Sequence, residues 1–599
     1  VETIVIVTED PVRYAAVKGL PRRVRIYDRA DLDKVQRQLR ETPGVSVLIY
    51  DQICATEKRR RSKRGLRAPD RTRVLINTEV CEGCGDCSIK SNCLSVEPVE
   101  TELGRKRRVN QSTCNTDLSC VNGFCPSFIT VTDGEFTAAD EPRPDIDATN
   151  LPLPDTPSLE RVWNVLFTGV GGTGVTTVAA ILAMGAHVDG HAASSLDMTG
   201  LAQKGGPVLS HLRFARTPEM ISTGRVPPAS TNCMIACDLV VAAGGDALNL
   251  MDAERTAAYA NSDVTPTSEF IRDRSKKFES DLLSARVKRQ ASDFATFDAE
   301  ALAILYFNEA IYTNMIMAGY AWQKGQVPVS LRGIYRAIKL NGVKADDNMA
   351  AFDLGRIAAY DPERLETAKD PRGHIQPKTL QELIADRVTR LKGYQNGAYA
   401  DRYHALMERV IAAETEIGTG ERLSEAVARY AYKVMAYKDE YEVARLWTDG
   451  RFDAYLAKKF KGGKITYHLA PPLNSKKDEN GHLKKKSFGP WMKTGFKILR
   501  RFKWLRGTRF DPFGWTAERK LERKIRDQYI DNVDRLLAGL TVKNLDLAVA
   551  IAEIPDGIRG YGHIKEDAIA LSAEKESELW QHWPHGTLPK STTTLIAAA

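Results

Sequence analysis

Seven of the ten cysteines fall between Cys81 and Cys125. The run is Cys81-Glu-Gly-Cys84-Gly-Asp-Cys87, then Cys93, then Cys114, Cys120 and Cys125, with Pro126 next. Two residues between successive cysteines let one tight loop aim three thiolates at a single cluster. Gly83 and Gly85 allow the backbone angles that such a loop needs. A bacterial ferredoxin takes a fourth ligand from a distant Cys-Pro. On that logic Cys81, Cys84, Cys87 and Cys125 hold one [4Fe–4S] cluster. Cys93, Cys114 and Cys120 offer three ligands to a second, which Cys54 or an oxygen ligand such as Asp117 would complete. A single cluster is the alternative, since seven is one short of eight and the spacings around Cys93 and Cys120 depart from the compact ferredoxin repeat. A structural zinc site is the competing chemistry, although such sites use paired Cys knuckles rather than a Cys-x2-Cys-x2-Cys triplet. Cys233 and Cys237 lie in the apolar run NCMIACDLVVAA and read as buried small hydrophobes.

A second constellation is rich in glycine. VLFT predicts a strand, and Gly169-Val-Gly171-Gly172-Thr-Gly174 follows it directly, before the helical pattern VTTVAAILAMGA. Glycines at this spacing permit a tight turn and let backbone amides approach a phosphate at the helix N-terminus. Asp189 or Asp197 stands where an acidic ribose partner would. Val175 and Thr176 occupy the places of the P-loop Lys-Ser/Thr, so an ATPase is rejected. Gln203-Lys204-Gly205-Gly206 could set an ammonium and an amide near an anion. The competing reading of both elements is strand–helix packing with no nucleotide. His187 and His191 read as surface histidines.

The elements that must position these residues follow from the whole chain. Its 599 residues are enough for about four domains at ~150 residues each. Hydrophobic residues at 43% and charged residues at 27% are ordinary globular composition and exclude collagenous or wholly disordered chains. A net charge of +8 does not by itself argue for nucleic acid. VETIVIVTED lacks the features of a signal peptide, and with Val1 in place of Met the chain reads as missing its true start. Val165 to Ala186 carries no charge, but its glycines and threonines read as strand, turn and helix rather than a membrane span. A soluble protein is expected.

Residues 4–8, 23–28 and 45–51 predict strands alternating with helices, hence a parallel α/β sheet. Three strands read as the end of a larger domain. Residues 58–73 carry nine basic side chains against Asp70, which suits a solvated linker or an acidic or phosphate-bearing partner. Residues 132–161 read as a Pro-rich linker. Further on, Leu423, Val427, Tyr430, Val434, Tyr437 and Tyr441 recur at steps of 4,3,4,3,4, which predicts one continuous helix face, with Ser424 or Thr419 as its cap. Residues 476–526 interleave aromatics with Lys and Arg. A helical face that packs its aromatics is one reading, and a nucleic-acid or membrane surface is the other.

The blocks CEGCGDCSIKSNC…CNTDLSCVNGFCPSF, NVLFTGVGGTGVTT, LDMTGLAQKGGPVLSHLRF and NMIMAGYAWQKG resemble the large fused indolepyruvate:ferredoxin oxidoreductases of the 2-oxoacid:acceptor oxidoreductase family. MAYKDEYEVARLWTDGRF, YHLAPPLN and FGPWMK…DPFGWTAER resemble that enzyme's C-terminal region. The likeness runs from about residue 1 to residue 570. It implies thiamine-dependent oxidative decarboxylation of arylpyruvates to acyl-CoA and CO2, with electrons leaving one at a time through iron–sulfur clusters to ferredoxin.

The implied cofactors are one or two [4Fe–4S] clusters on the seven cysteines, thiamine diphosphate with Mg2+, and coenzyme A as co-substrate. A phosphate role would fall on Gly169, Gly171, Gly172, Gly174 and Lys204. The family's thiamine site needs a Gly-Asp-Gly…Asn element, which is not found here; GGDALN (244–249) has no matching Asn context. No catalytic thiamine residue is therefore named, and the chain is expected to be the electron-transfer and gamma half of a split or truncated enzyme.

The expected architecture is α/β multidomain. Residues 1–70 are the C-terminal part of a thiamine-binding domain with its parallel sheet, and 71–131 a ferredoxin-like iron–sulfur segment. A linker follows at 132–160, then an α/β gamma-type domain at 161–372, a helical C-terminal domain at 373–575 and a tail at 576–599. Expected partners are ferredoxin, the 2-oxoacid, the complementary thiamine-binding chain and a second copy of this chain, without nucleic acid or a membrane span. The cytoplasm is the expected location. The rival reading is a non-catalytic iron–sulfur electron-transfer subunit or scaffold.

Overall fold

The computed structural model describes residues 1–599 except 16, 22, 69, 112, 137–145, 200–205, 265–279, 366–378, 472–481, 587 and 590–599. The chain divides into two units, Val1–Asp70 and Arg71–Ala599.

In the first unit, strands Arg25–Asp28, Thr3–Thr8 and Ser46–Asp51 form a parallel sheet in that order. Val5, Val7 and Val35 are buried between it and the helix Leu32–Arg40. The parallel α/β pattern expected for residues 1–50 is thus present. The basic run beginning at Lys58 is not wholly a linker, because the helix Ala55–Lys63 takes up its first half. Arg60 and Arg61 both pair with Glu57 one turn back, and such i,i+3 and i,i+4 pairs support a helix.

The second unit contains a six-stranded sheet. Its order is Ala192–Thr199, Pro207–Ala215, Trp163–Val170, Cys233–Ala236, Ala257–Asn261 and Asp293–Phe297. The last four strands are parallel and the first two antiparallel. Trp163–Val170 is buried along nearly its whole length, as a central parallel strand covered on both faces must be. The helix Thr313–Gln323 is buried at every position. It lies against Ala345–Tyr360 so closely that a Cβ on Gly319 would sit 2.0 Å from the Phe352 carbonyl oxygen, and one on Gly355 2.0 Å from that of Ile316. Glycine is required at this crossing because two backbones touch there. Cys233 and Cys237 are buried in this core, as expected.

A four-stranded antiparallel sheet runs Lys486–Phe488, Lys464–Leu469, Phe128–Thr132, Thr72–Ile76. Two strands flank the cysteines in sequence; the other two come from more than 300 residues further along. The C-terminal region thus supplies half of the sheet that carries the cysteine loops.

The helix expected through Tyr441 is broken. It runs Arg422–Met435, and a new helix starts at Glu440. Asp439 caps the second helix through the Glu442 N–H, 2.9 Å away. The same carboxylate takes the Arg506 guanidinium at 2.5 and 2.9 Å, and this buried pair outweighs the helical spacing. Neither Ser424 nor Thr419 caps the first helix. The buried Glu414 carboxylate does so, accepting from the backbone N–H groups of Leu423 and Ser424 and from the Ser424 hydroxyl.

In the aromatic–basic region, Phe496 is buried whereas Trp491, Trp504, Phe510 and Trp515 are exposed. The helix Met492–Leu499 turns one apolar side inward, and irregular backbone carries most of the remaining aromatics. No helix among the described residues is long and apolar enough to cross a membrane.

Candidate functional site

The loop after strand Thr72–Ile76 carries Cys81, Cys84 and Cys87. Gly83 and Gly85 both have positive φ, +68° and +78°, so the glycines serve the turn as the spacing required. A Cβ on Gly83 would meet the Arg105 carbonyl oxygen at 2.1 Å, and one on Gly123 would meet the Cys87 Cα at 2.7 Å. These close approaches bring Cys125 back beside the first three cysteines. All four line one recess, together with Ile76, Arg107, Phe124, Ser127 and Phe128. Burial pushes the Cys84 thiol up to about 12, and the neighbouring Cys125 adds to it. Cys81 and Cys87 are raised for the same two reasons. Burial and the neighbouring sulfurs thus disfavour the ionised form of these thiols. The Gly83 N–H donates to Cys81 Sγ at 3.3 Å, and Ser127 Oγ lies 3.0 Å from Cys125 Sγ.

Cys93, Cys114 and Cys120 form a second group. Burial, then Cys114, Cys93 and Asp117, raises the Cys120 thiol. The Thr116 N–H donates to Cys114 Sγ at 3.4 Å. Seven described non-glycine residues have positive φ, and three of them, Asn92, Thr116 and Leu118, lie within two residues of these cysteines. Left-handed backbone costs about 1–3 kcal/mol per residue and gathers at functional sites. The left-handed turns here bring three thiols separated in sequence into one neighbourhood. Of the two candidates for an eighth ligand, Asp117 lies beside Cys120, while its carboxylate also accepts from Ser119 at 3.0 and 3.1 Å. Cys54 is exposed in the first unit. Among the described residues, no three His, Cys, Asp or Glu side chains are close enough to hold a single metal ion. The four thiols of the first group stand around a recess rather than a point.

Side chains from residues 387–561 cover this region, and no cysteine spacing announces them. Lys438 pairs with Glu82 at 2.5 Å and donates to the carbonyls of Val80 and Cys81. Tyr561 Oη donates to Val80 at 2.6 Å, and Trp447 Nε1 to Pro126 at 3.1 Å. Arg387 and Arg390 converge on the buried Glu102, with Arg390 also 3.2 Å from Glu79.

The glycine turn has the expected place between strand Trp163–Val170 and helix Val175–Val188. Gly172 and Gly174 have positive φ. A Cβ on Gly169 would fall 2.4 Å from Val175 Cγ2, so this glycine permits strand–helix contact. The Gly171 N–H donates to the Gly206 carbonyl at 2.8 Å, and Asn314 Nδ2 to that of Thr173 at 3.0 Å. Lys204 and Gly205 lie outside the described residues. Asp189 accepts from the Ser330 N–H and hydroxyl at 2.7 and 2.6 Å, while Asp197 accepts from Ser210.

The second unit thus combines an α/β domain that has a glycine turn after a central strand with a cysteine-rich segment. Residues 164–358 match the family described as pyruvate ferredoxin/flavodoxin oxidoreductase, and residues 380–578 match a family of unknown function (DUF6537). The indolepyruvate oxidoreductase subunit IorB of Pyrococcus horikoshii is 27% identical over 204 residues, which are 33% of this chain and 96% of that protein. The same subunit of Thermococcus kodakarensis is 26% identical over 212 residues, again 33% and 96%. A pyruvate oxidoreductase subunit of Thermotoga maritima aligns with 33% of this chain and 96% of its own, at 16% identity and a TM-score of 0.24. Residues 164–358, about a third of the chain, are thus similar to 2-oxoacid:ferredoxin oxidoreductases.

Proposed function

We propose that this chain is the electron-transfer and gamma-type part of a thiamine-dependent oxidoreductase that acts on arylpyruvates, of which indolepyruvate is one. The convergence of Cys81, Cys84, Cys87 and Cys125 on one recess carries this reading. Four thiols, amide and hydroxyl groups beside two of the sulfurs, and an apolar wall fit a [4Fe–4S] cluster. When bound, such a cluster takes up and releases one electron. Phe124, Phe128 and Ile76 would exclude water from it. The hydrogen bonds to Cys81 and Cys125, and the buried guanidinium of Arg107, favour negative charge on the sulfurs. Cys93, Cys114 and Cys120 would hold a second cluster, with Asp117 the nearest further ligand. The family's thiamine diphosphate, Mg2+ and coenzyme A chemistry would need residues of a complementary chain. The IorB relatives are subunits of an indolepyruvate oxidoreductase by name, which supports that substrate class.

The test is iron, acid-labile sulfide and zinc on anaerobically purified protein. About eight iron and eight sulfide per chain support two clusters, and Cys84→Ser then loses about half. Zinc without sulfide overturns the electron-relay reading. Adding a thiamine-binding chain should give 2-oxoacid-dependent dye reduction. Clusters without that reduction would favour the scaffold.

A further inference from the structure

The C-terminal region matches a family without an assigned role, and it places one cation in a distinctive position. Lys485 immediately precedes the strand Lys486–Phe488, which pairs with Lys464–Leu469 and so joins the sheet that carries the cysteine loops. Its Nζ donates to the Val121 carbonyl at 3.0 Å, one residue from Cys120. The same Nζ stands 4.7 Å from the centroid of Phe128, a wall of the recess lined by Cys81, Cys84, Cys87 and Cys125. Lys485 therefore touches structure belonging to both cysteine groups. Arg107 lines the recess itself, and three further cations nearby are paired: Lys438 with Glu82, Lys565 with Glu522 and Arg559 with Asp556. Lys485 instead contacts a carbonyl and a ring, so more of its field reaches the sulfurs.

We propose that Lys485 raises the reduction potential of the cluster at Cys81, Cys84, Cys87 and Cys125, and that the C-terminal region of unknown function is an electrostatic cap that delivers this charge. The inference rests on the electron-relay reading above. Adding an electron makes a cluster with four thiolates more negative. A fixed positive charge nearby stabilises the reduced form more than the oxidised one, and low-dielectric surroundings strengthen the effect. Lys485 is thus a positioning charge rather than a catalytic residue.

The experiment is a redox titration of the full chain, followed by electron paramagnetic resonance, with iron and sulfide measured on each sample. Lys485→Met keeps the apolar stem against Phe128 and removes the charge; Lys485→Arg keeps the charge. The expected result is an unchanged cluster content. The midpoint of Lys485→Met moves to more negative potential by about a tenfold change in the reduced-to-oxidised ratio, equivalent to ~59 mV for one electron. Lys485→Arg stays near the wild-type midpoint. An unmoved midpoint in Lys485→Met with intact clusters overturns the proposal. Should Lys485→Met lose its cluster while Lys485→Arg keeps it, the charge is needed even to hold the cluster and the cap stands. Equal loss in both variants assigns Lys485 to packing and overturns it. Wild-type protein without iron and sulfide removes the electron-relay reading itself, an outcome distinct from any difference between variants.

Discussion

The α/β domain and the cysteine region are held together by different physics. In the first, apolar strands are covered by helices that approach each other through glycine, as at Gly319 and Gly355. In the second, buried ions do much of the joining: Glu102 with Arg387 and Arg390, Glu79 with Arg390, Glu82 with Lys438, Asp439 with Arg506. Apolar packing is non-directional and tolerates drift. A buried ion pair fails outright when one partner leaves, because the remaining charge is stranded. The region that would hold redox groups is thus the one whose geometry is fixed by specific, long-range pairing.

Three measurements would break or sharpen this contrast. The largest effect is expected for Glu102→Gln, which leaves Arg387 and Arg390 short of their shared carboxylate and should cost about 3–5 kcal/mol. Hydrogen exchange should accelerate in residues 72–132 and 380–394 and stay unchanged in 163–358. Uniform loosening of both regions would erase the distinction. Next is Gly319→Ala, where the new methyl meets a backbone carbonyl and a helix must shift. Overpacking of this kind costs about 1–3 kcal/mol, and the loosening should be confined to residues 313–360.

The smallest effect concerns pH. Burial, then Lys485, lowers the His468 imidazole from 6.5 to about 4. The unfolded chain therefore binds this proton before the folded one does. The stability contributed by the neutral ring is complete above about 6.5 and is lost as pH falls toward 4. His468 is only partly buried, so the loss should be no more than about 1–2 kcal/mol after screening. Denaturant midpoints of His468→Gln between pH 7 and pH 4 should fall less steeply than those of wild type. Equal slopes would rule His468 out.

Legibility in the sequence follows the same division. The strand–turn–helix around Gly169–Gly174 was readable because its signals are local: apolar residues, then glycines, then a helical period. The partition of seven cysteines into groups of four and three was also readable, since the Cys-x2-Cys-x2-Cys triplet and Cys125-Pro126 are short-range patterns. The covering of that site was not. Nothing local to Lys438, Lys485 or Tyr561 says that they return to Val80, Val121 and Phe128. The break before Glu440 was missed because the period counted apolar positions and ignored Asp439, whose pairing with Arg506 lies 67 positions away.

The sheet that joins Phe128–Thr132 to Lys464–Leu469 also sets a timetable. During synthesis the first two strands and all seven clustered cysteines emerge about 330 residues before their third strand. At ~5–20 residues per second that interval is about 17–66 s. Until then the strand Phe128–Thr132 lacks the partner that covers one of its edges in the complete fold. Arrival of the C-terminal strands then completes the sheet, so the cysteine loops gain their full enclosure only near the end of synthesis.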